Sequence, residues 1–271
     1  MMKTVLRHTI LLFTGTALMV PVVWMISLSF KSSAEMFLPE IHLWPQTWNA
    51  AENYGAAFTK SPLPKFLLNG VLVCGAILAL QIAVALPFAY ALAKLRFKGR
   101  EVLFSFVIAG LMIPPQVLAI PLFVLFYQLK LLDTFAALIL PWGASMFCIF
   151  LLRQFFRAVP TEIIDAARLD GMSELGIVLR IMTPAALPAI GAFAIFSVVS
   201  HWNDLFWPLI MVKSESLAMP PLGLVFFRSG ESGTNYGPLM AASVIVAAPL
   251  VVAFVFAQKY FIEGMTLINR R

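Results

Sequence analysis

Six stretches of this 271-residue chain are each apolar over roughly the 20 residues that a helix needs to cross a ~30 Å hydrocarbon layer. They fall near 9–30, 67–93, 102–128, 133–156, 185–211 and 238–261. A bilayer core offers no water to a backbone N–H or C=O, so a spanning segment must close its hydrogen bonds internally. The expectation is an all-α, polytopic membrane protein with six transmembrane helices in one domain, 1–271. Charge supports it: only 12% of residues are charged, about half the share of a soluble chain. The first run follows Lys3 and Arg7, and Ser27-Leu28-Ser29 resembles a signal-peptide cleavage site. It is nevertheless too long for a signal peptide and carries Pro21 and Trp24, so it reads as a span.

The cations then orient the chain. Thirteen of the nineteen Lys and Arg fall on one side of the spans, among them Lys3, Arg7, Lys94, Arg96, Lys98, Arg100, Arg153, Arg157, Arg168 and Arg180. By the positive-inside rule that side is cytoplasmic, with both termini and the 157–183 loop. The net charge of +6 is thus a matter of topology and calls for no nucleic-acid partner. The external segments are 31–66 and 212–237. Trp44, Trp48 and Tyr54 in the first suit an interfacial belt. The second is broken by Gly and Pro, and reads as a loop dipping in from outside or as a surface for a partner. No internal repeat of the inverted-repeat carrier type is visible.

The 157–183 loop is the densest polar interruption, with Glu162, Asp165, Arg168, Asp170, Glu174 and Arg180. Pro160 suits a first helical turn, and Arg168 lies three residues after Asp165 on one face. Gly171 permits a left-handed helix end, and Ser173 offers a cap to a second helix. Two short helices meeting at a glycine are expected over 161–176. Asp165-Ala166-Ala167, three residues, Gly171, nine residues, Ile181 and Pro184 resemble the EAA loop of permease subunits in bacterial ABC importers. Asp165 stands where that pattern has Glu, and Thr183 where it has Leu. Ser29-Phe30-Lys31, Asn53-Tyr54, Asn69, Ile113-Pro114, Ile120-Pro121, 152–156, Trp202-Asn203-Asp204 and Trp207-Pro208 are similar to the carbohydrate-uptake, maltose-transporter-like branch.

That resemblance implies a type I ABC importer permease fold in the bacterial inner membrane. It also implies a second permease subunit, two cytoplasmic ATPase subunits carrying ATP and Mg, an external solute-binding protein and a sugar-type substrate. Glu162, Asp165, Ala166, Ala167, Arg168, Asp170 and Gly171 become the expected ATPase-coupling residues. The small side chains of Ala166, Ala167 and Gly171 would let a partner backbone approach closely. Importers of glycerol 3-phosphate or a polyol share the pattern, and an ion-coupled secondary transporter is the more distant alternative. Relatives often end in Gly-x-x-x-Gly-Ala-x-Lys-Gly; this chain keeps Gly264 but diverges over 266–271.

No nucleotide-binding Gly-x4-Gly-Lys loop appears, so ATP hydrolysis is not expected of this chain, nor any cofactor. His8, His42 and His201 are scattered without metal-ligand company. Cys74 and Cys148 sit in apolar runs and read as small buried residues. Polar residues inside spans are costly and therefore informative. Gln81 and Gln116 fall near the middle of the second and third spans. Pro114, Pro115 and Pro121 must interrupt the third. That span either lines a pathway or is a kinked packing helix with Gln116 bonded to a neighbour. His201, Asn203 and Asp204 cluster near the outer end of the fifth, ~30 Å above Pro184 if the helix is straight. They form a vestibule, or an interfacial anchor with Trp202 and Trp207 in the belt. Gln81, Gln116, Asn203 and Asp204 are the candidate pathway residues. A neutral sugar is favoured because no Lys or Arg lies near mid-span.

Overall fold

A computed structural model describes residues 2–40, 42–230 and 236–268, with side chains over 5–40, 42–226 and 236–255. The divergent end at Gly264 and 266–271, with Lys3, Arg228 and Lys259, therefore lies outside the described side chains. Among the described residues every regular element is helical. Val5–Ser29, Leu63–Lys94, Phe135–Ala158 and Tyr236–Val255 are each long and apolar enough to cross a membrane. Two further helix pairs are long and apolar enough only when taken together, and each is bent: Arg100–Met112 meets Pro115–Gln128 at 95°, and Glu174–Ala185 meets Leu187–Trp202 at 79°. Counting each bent pair once gives six.

The bends correct two straight spans expected from sequence. In 102–128 the helix stops at Met112, because Pro114 and Pro115 forbid helical geometry upstream. Ile113 (ψ 116) and Pro114 (ψ 129) are extended. The chain re-enters as a 3₁₀ turn, Pro115–Leu118, before Ala119–Gln128. In 185–211 the regular helix covers only Leu187–Trp202; the chain breaks at 203–205 and resumes as Phe206–Met211. A single straight helix from Pro184 through Asp204 is therefore not formed. The elbow before Leu187 has its cause in Pro184 and Pro188, which lack the N–H groups that would continue the ladder. Val178–Met182 relaxes to a π-helix there, and the Thr183 hydroxyl donates to Val178 O at 2.8 Å. Such bulges are common where a helix absorbs a kink. The 212–237 segment is also more regular than a dipping loop, since Pro220–Gly230 is helical.

The chain divides into two compact units, 1–67 with 220–251 and 68–219 with 252–271. The first is tied by buried Asn53, whose amide donates to Ser29 O at 2.9 Å and Lys31 O at 2.8 Å. Tyr54 OH meets Ser29 Oγ at 3.1 Å. Lys31 is buried over the Trp24 ring and pairs with Glu35 at 3.9 Å. Trp44 and Trp48 are exposed, whereas Tyr54, expected with them in a belt, is half-buried.

The second unit centres on Leu86, Leu92, Leu152, Phe156, Ile177 and Phe193. Arg153, 3% exposed, is tolerated there because it is paired: it donates to Leu92 O at 3.3 Å, meets Glu101 at 3.5 Å and lies over Phe104. Asn69 donates to Ser216 O at 3.1 Å and Ala218 O at 2.9 Å. Asp133, between spans, is bonded by the Ser214 hydroxyl and by Ser214 N and Lys213 N. These bonds hold its carboxyl below the usual range.

Gly223 lies so close to Phe66 that a Cβ would sit 2.1 Å from its ring, whereas Gly75 faces open space. Gly223→Ala is expected to destabilise the detergent-solubilised protein by about 1–3 kcal/mol, and Gly75→Ala to leave it unchanged. Thermal unfolding of the two variants side by side measures this.

Candidate functional site

The polar loop forms as two short helices. Thr161–Leu169 starts at the expected residue, with Pro160 extended (ψ 137) as its N-cap rather than in its first turn. It ends at Gly171, in the left-handed region at φ 77. Gly171 N donates to Arg168 O and Met172 N to Ala167 O, each at 3.0 Å. This pair of bonds is a Schellman cap, and it requires a residue that tolerates positive φ. Ser173 then caps Glu174–Ile177 by accepting from Gly176 N at 3.2 Å.

Arg168 holds the two helices together. It meets Asp165 at 3.1 Å and Glu174 at 2.8 Å. Glu174 in turn accepts from the buried Tyr90 hydroxyl on the long 63–94 helix. Four residues on, Lys94 donates to Val159 O at 2.5 Å, just ahead of the loop. Ile164, Ala167, Ile177 and Val178 are buried in the same core as Ala89, Leu92 and Phe156. The loop is thereby fixed to the ends of two spans by polar bonds at its edges and apolar packing beneath.

Its outer face presents Glu162, Asp165, Ala166, Asp170 and Gly171, all exposed, with Ile163, Leu169 and Leu175. Leu169 is 89% exposed. Ala167 does not join them. It is buried, so its small size serves packing within the chain rather than approach by a partner. Tyr90 and Lys94 were missed from sequence. Their four-residue spacing at the end of an apolar run puts both on one helix face, and was the available signal.

A cavity of about 260 Å³ in the same unit is lined by residues including Gln116, Trp142, Ser200, His201, Asp204 and Trp207. Gln116 and Asp204 come together here, because the break after Met112 turns the 115–118 segment and the chain stops its helix at Trp202. Asp204 accepts from Trp207 N at 3.2 Å, capping Phe206–Met211. The other two candidates lie elsewhere. Gln81 is buried, accepting from Ser197 Oγ at 2.7 Å and lying 3.4 Å from His201 Nε2. It props the cavity wall instead of lining it. Asn203 is exposed and bonded back to Val199 O at 2.9 Å. Trp202 and Trp207 are buried, at 3% and 2% exposure, so they are not belt residues. Trp207 Nε1 donates to Ala137 O at 2.9 Å. Trp142, 5.2 Å from His201 and 5.7 Å from Trp207 between ring centres, carried no sequence signal. Among the described residues no three His, Cys, Asp or Glu stand close enough to hold a metal.

Residues 81–266 match the family described as binding-protein-dependent transport system inner membrane component. The chain is 36% identical over 249 residues to the arabinooligosaccharide transport permease AraQ of Halalkalibacterium halodurans, covering 91% of this chain and 89% of that one. It is 30% identical over 257 residues to the diacetylchitobiose uptake permease NgcG of Streptomyces coelicolor, covering 94% and 84%. To the sn-glycerol-3-phosphate permease UgpE of Escherichia coli it is 28% identical over 269 residues, covering 97% and 95%. Among solved structures, a bacterial ABC transporter that imports the acidic polysaccharide alginate contains a chain that superposes with a TM-score of 0.83 at 22% identity. The match covers 95% of this chain and 96% of that one.

Replacing Arg168 with Met removes both ion pairs but keeps an unbranched stem of similar length. Partly exposed pairs contribute roughly 0.2–1 kcal/mol each, so with both lost backbone hydrogen exchange over 161–177 should quicken by about two- to thirtyfold. Exchange in the 63–94 helix should stay unchanged.

Proposed function

This chain belongs to the family of binding-protein-dependent transport system inner membrane components, and on that footing we propose that it is one of two permease subunits of a sugar importer. A second, similar permease completes the pathway. Two ATPase subunits, which hold ATP and Mg, dock on the 161–177 loop from the cytoplasm, where both termini also lie. An external binding protein delivers a neutral sugar or short oligosaccharide. The arabinooligosaccharide and diacetylchitobiose relatives favour that substrate class. The glycerol-3-phosphate relative keeps a small phosphorylated polyol as the second reading.

The observation that carries the proposal is the loop's two-sidedness. One face is locked into the spans through Tyr90, Lys94, Ile164 and Ala167. The other exposes Ile163, Leu169 and Leu175 beside Asp165 and Asp170. An apolar anchor ringed by charge suits a protein partner, with the charges setting register. Glu174–Ala185 continues from the loop and turns by 79° into Leu187–Trp202, near whose end His201 lines the cavity. When the ATPases close on ATP, a push on the loop would swing this elbow as a rigid lever and alternate access to the pathway.

Leu169→Asp should leave the chain inserted and assembled but cut binding-protein-stimulated ATP hydrolysis at least about tenfold, because a buried anchor is worth ~2 kcal/mol or more. Undiminished stimulation would remove the loop from the interface. Both native cysteines are buried, so Ser173→Cys supplies a single accessible thiol. A membrane-impermeant maleimide should reach it in inverted vesicles and fail to reach it in intact cells.

A further inference from the structure

We propose that the Trp142–His201–Asp204 cavity is a substrate subsite that binds one uncharged sugar ring and rejects anions, so that this subunit touches the cargo directly. The inference rests on the importer reading above and assigns it a place within the chain. The cavity, about 260 Å³, falls below the ~300–1,000 Å³ of pockets for drug-sized ligands. It suits one ring of an oligosaccharide. Its wall combines the two features that such a ring requires. Trp142 supplies an aromatic face, held edge-on by Trp207 at 5.7 Å between centres. Trp207 is itself pinned through its indole N–H to Ala137 O. A platform so fixed loses little entropy when a sugar's C–H face packs on it.

Hydrogen bonds come from three side chains with complementary roles. Gln116 offers both a donor and an acceptor. Asp204 spends acceptor capacity on Trp207 N, and a carboxylate keeps further lone pairs for a hydroxyl. His201 is oriented from behind. Gln81 accepts from Ser197 Oγ through Oε1, which turns its amide nitrogen toward His201 Nε2. The ring nitrogen must then accept, leaving Nδ1–H as the donor. Gln81 and Ser197 are therefore positioning residues. No Lys or Arg is among the lining residues, while Asp204 contributes a carboxylate. A phosphate, sulfonate or uronate would meet like charge with no counter-ion among the lining residues. Of the substrates named for the relatives, this favours the neutral oligosaccharides.

The test uses the complete transporter in nanodiscs, without its binding protein, so that only the membrane subunits select. Saturation-transfer NMR is recorded with arabinotriose, N,N′-diacetylchitobiose and glycerol 3-phosphate. ATP-driven uptake of the same three probes is followed in proteoliposomes with the binding protein present. The expected result is transfer to at least one neutral probe and none to glycerol 3-phosphate. Trp142→Ala should weaken transfer and raise the uptake KM about tenfold, and Trp142→Phe should restore most of both. Asp204→Asn, which can still cap the 206–211 helix, should lower the discrimination against glycerol 3-phosphate. Gln81→Leu should raise KM with little change in kcat.

If Trp142→Ala and Asp204→Asn transport a neutral probe with unchanged KM and unchanged transfer, the subsite is wrong and the importer reading stands. Preferential binding of glycerol 3-phosphate by the wild type overturns the subsite's charge selectivity. Absence of ATP-dependent uptake of every neutral probe by the wild type overturns the sugar-importer reading and the subsite with it.

Discussion

A carbonyl released from a helix inside a membrane has no water to turn to, and the architecture of this chain follows from how it meets that constraint. Where a long helix runs without a break, as in Leu63–Lys94, it satisfies most of its own backbone groups, Pro87 being the one internal interruption. Where prolines interrupt the ladder, partners must come from the protein or from a wet cavity. At Pro184 the π-turn and the Thr183 hydroxyl take up the slack. At Pro114 the chain turns by 95° and leaves its 3₁₀ segment at the edge of a polar cavity. The two breaks thus place the elbow and the cavity in one unit, the first as a joint and the second as a recess.

The elbow rises from a loop that is tied down on several sides. A nine-residue helix is marginal alone, and Thr161–Leu169 gains its order from what surrounds it. A Schellman cap closes its end, Arg168 ties it to Glu174, and Tyr90 ties Glu174 to the long helix. Under the proposed coupling, force applied at Leu169 would reach Leu187 through these contacts. The same design explains why Ala167 is small: its neighbours beneath are packed core residues, and bulk there would lift the loop from the spans.

Buried asparagines do similar work away from the loop. Asn53 and Asn69 each spend an amide group on two backbone carbonyls. These carbonyls lie at helix ends and turns, where no continuing helix supplies them a backbone donor, and the two amide hydrogens of one Asn serve two of them. The short motifs around Ser29, Asn53 and Asn69 that marked the family resemblance are thus structural staples. Each fixes chain turns within its own unit.

By itself the sequence determined that this is a helical membrane protein with six apolar runs, a charged loop capped at Gly171 and Ser173, and the signature of an importer permease. Those features are local, written in run length, periodicity and cap chemistry, so a linear reading recovers them. Tertiary structure alone decided which polar residues share a space. Gln116 and Asp204 meet because two bends redirect the chain, and Gln81 is withdrawn because Ser197 and His201 face it across 116 and 120 residues. It also decided that Ala167 faces inward and that Trp142 stands beside His201. A bend angle is set by the packing that absorbs the broken hydrogen bonds, and that packing involves residues far away in the chain. A proline announces that a helix will break; only the surrounding fold settles where the two halves then point.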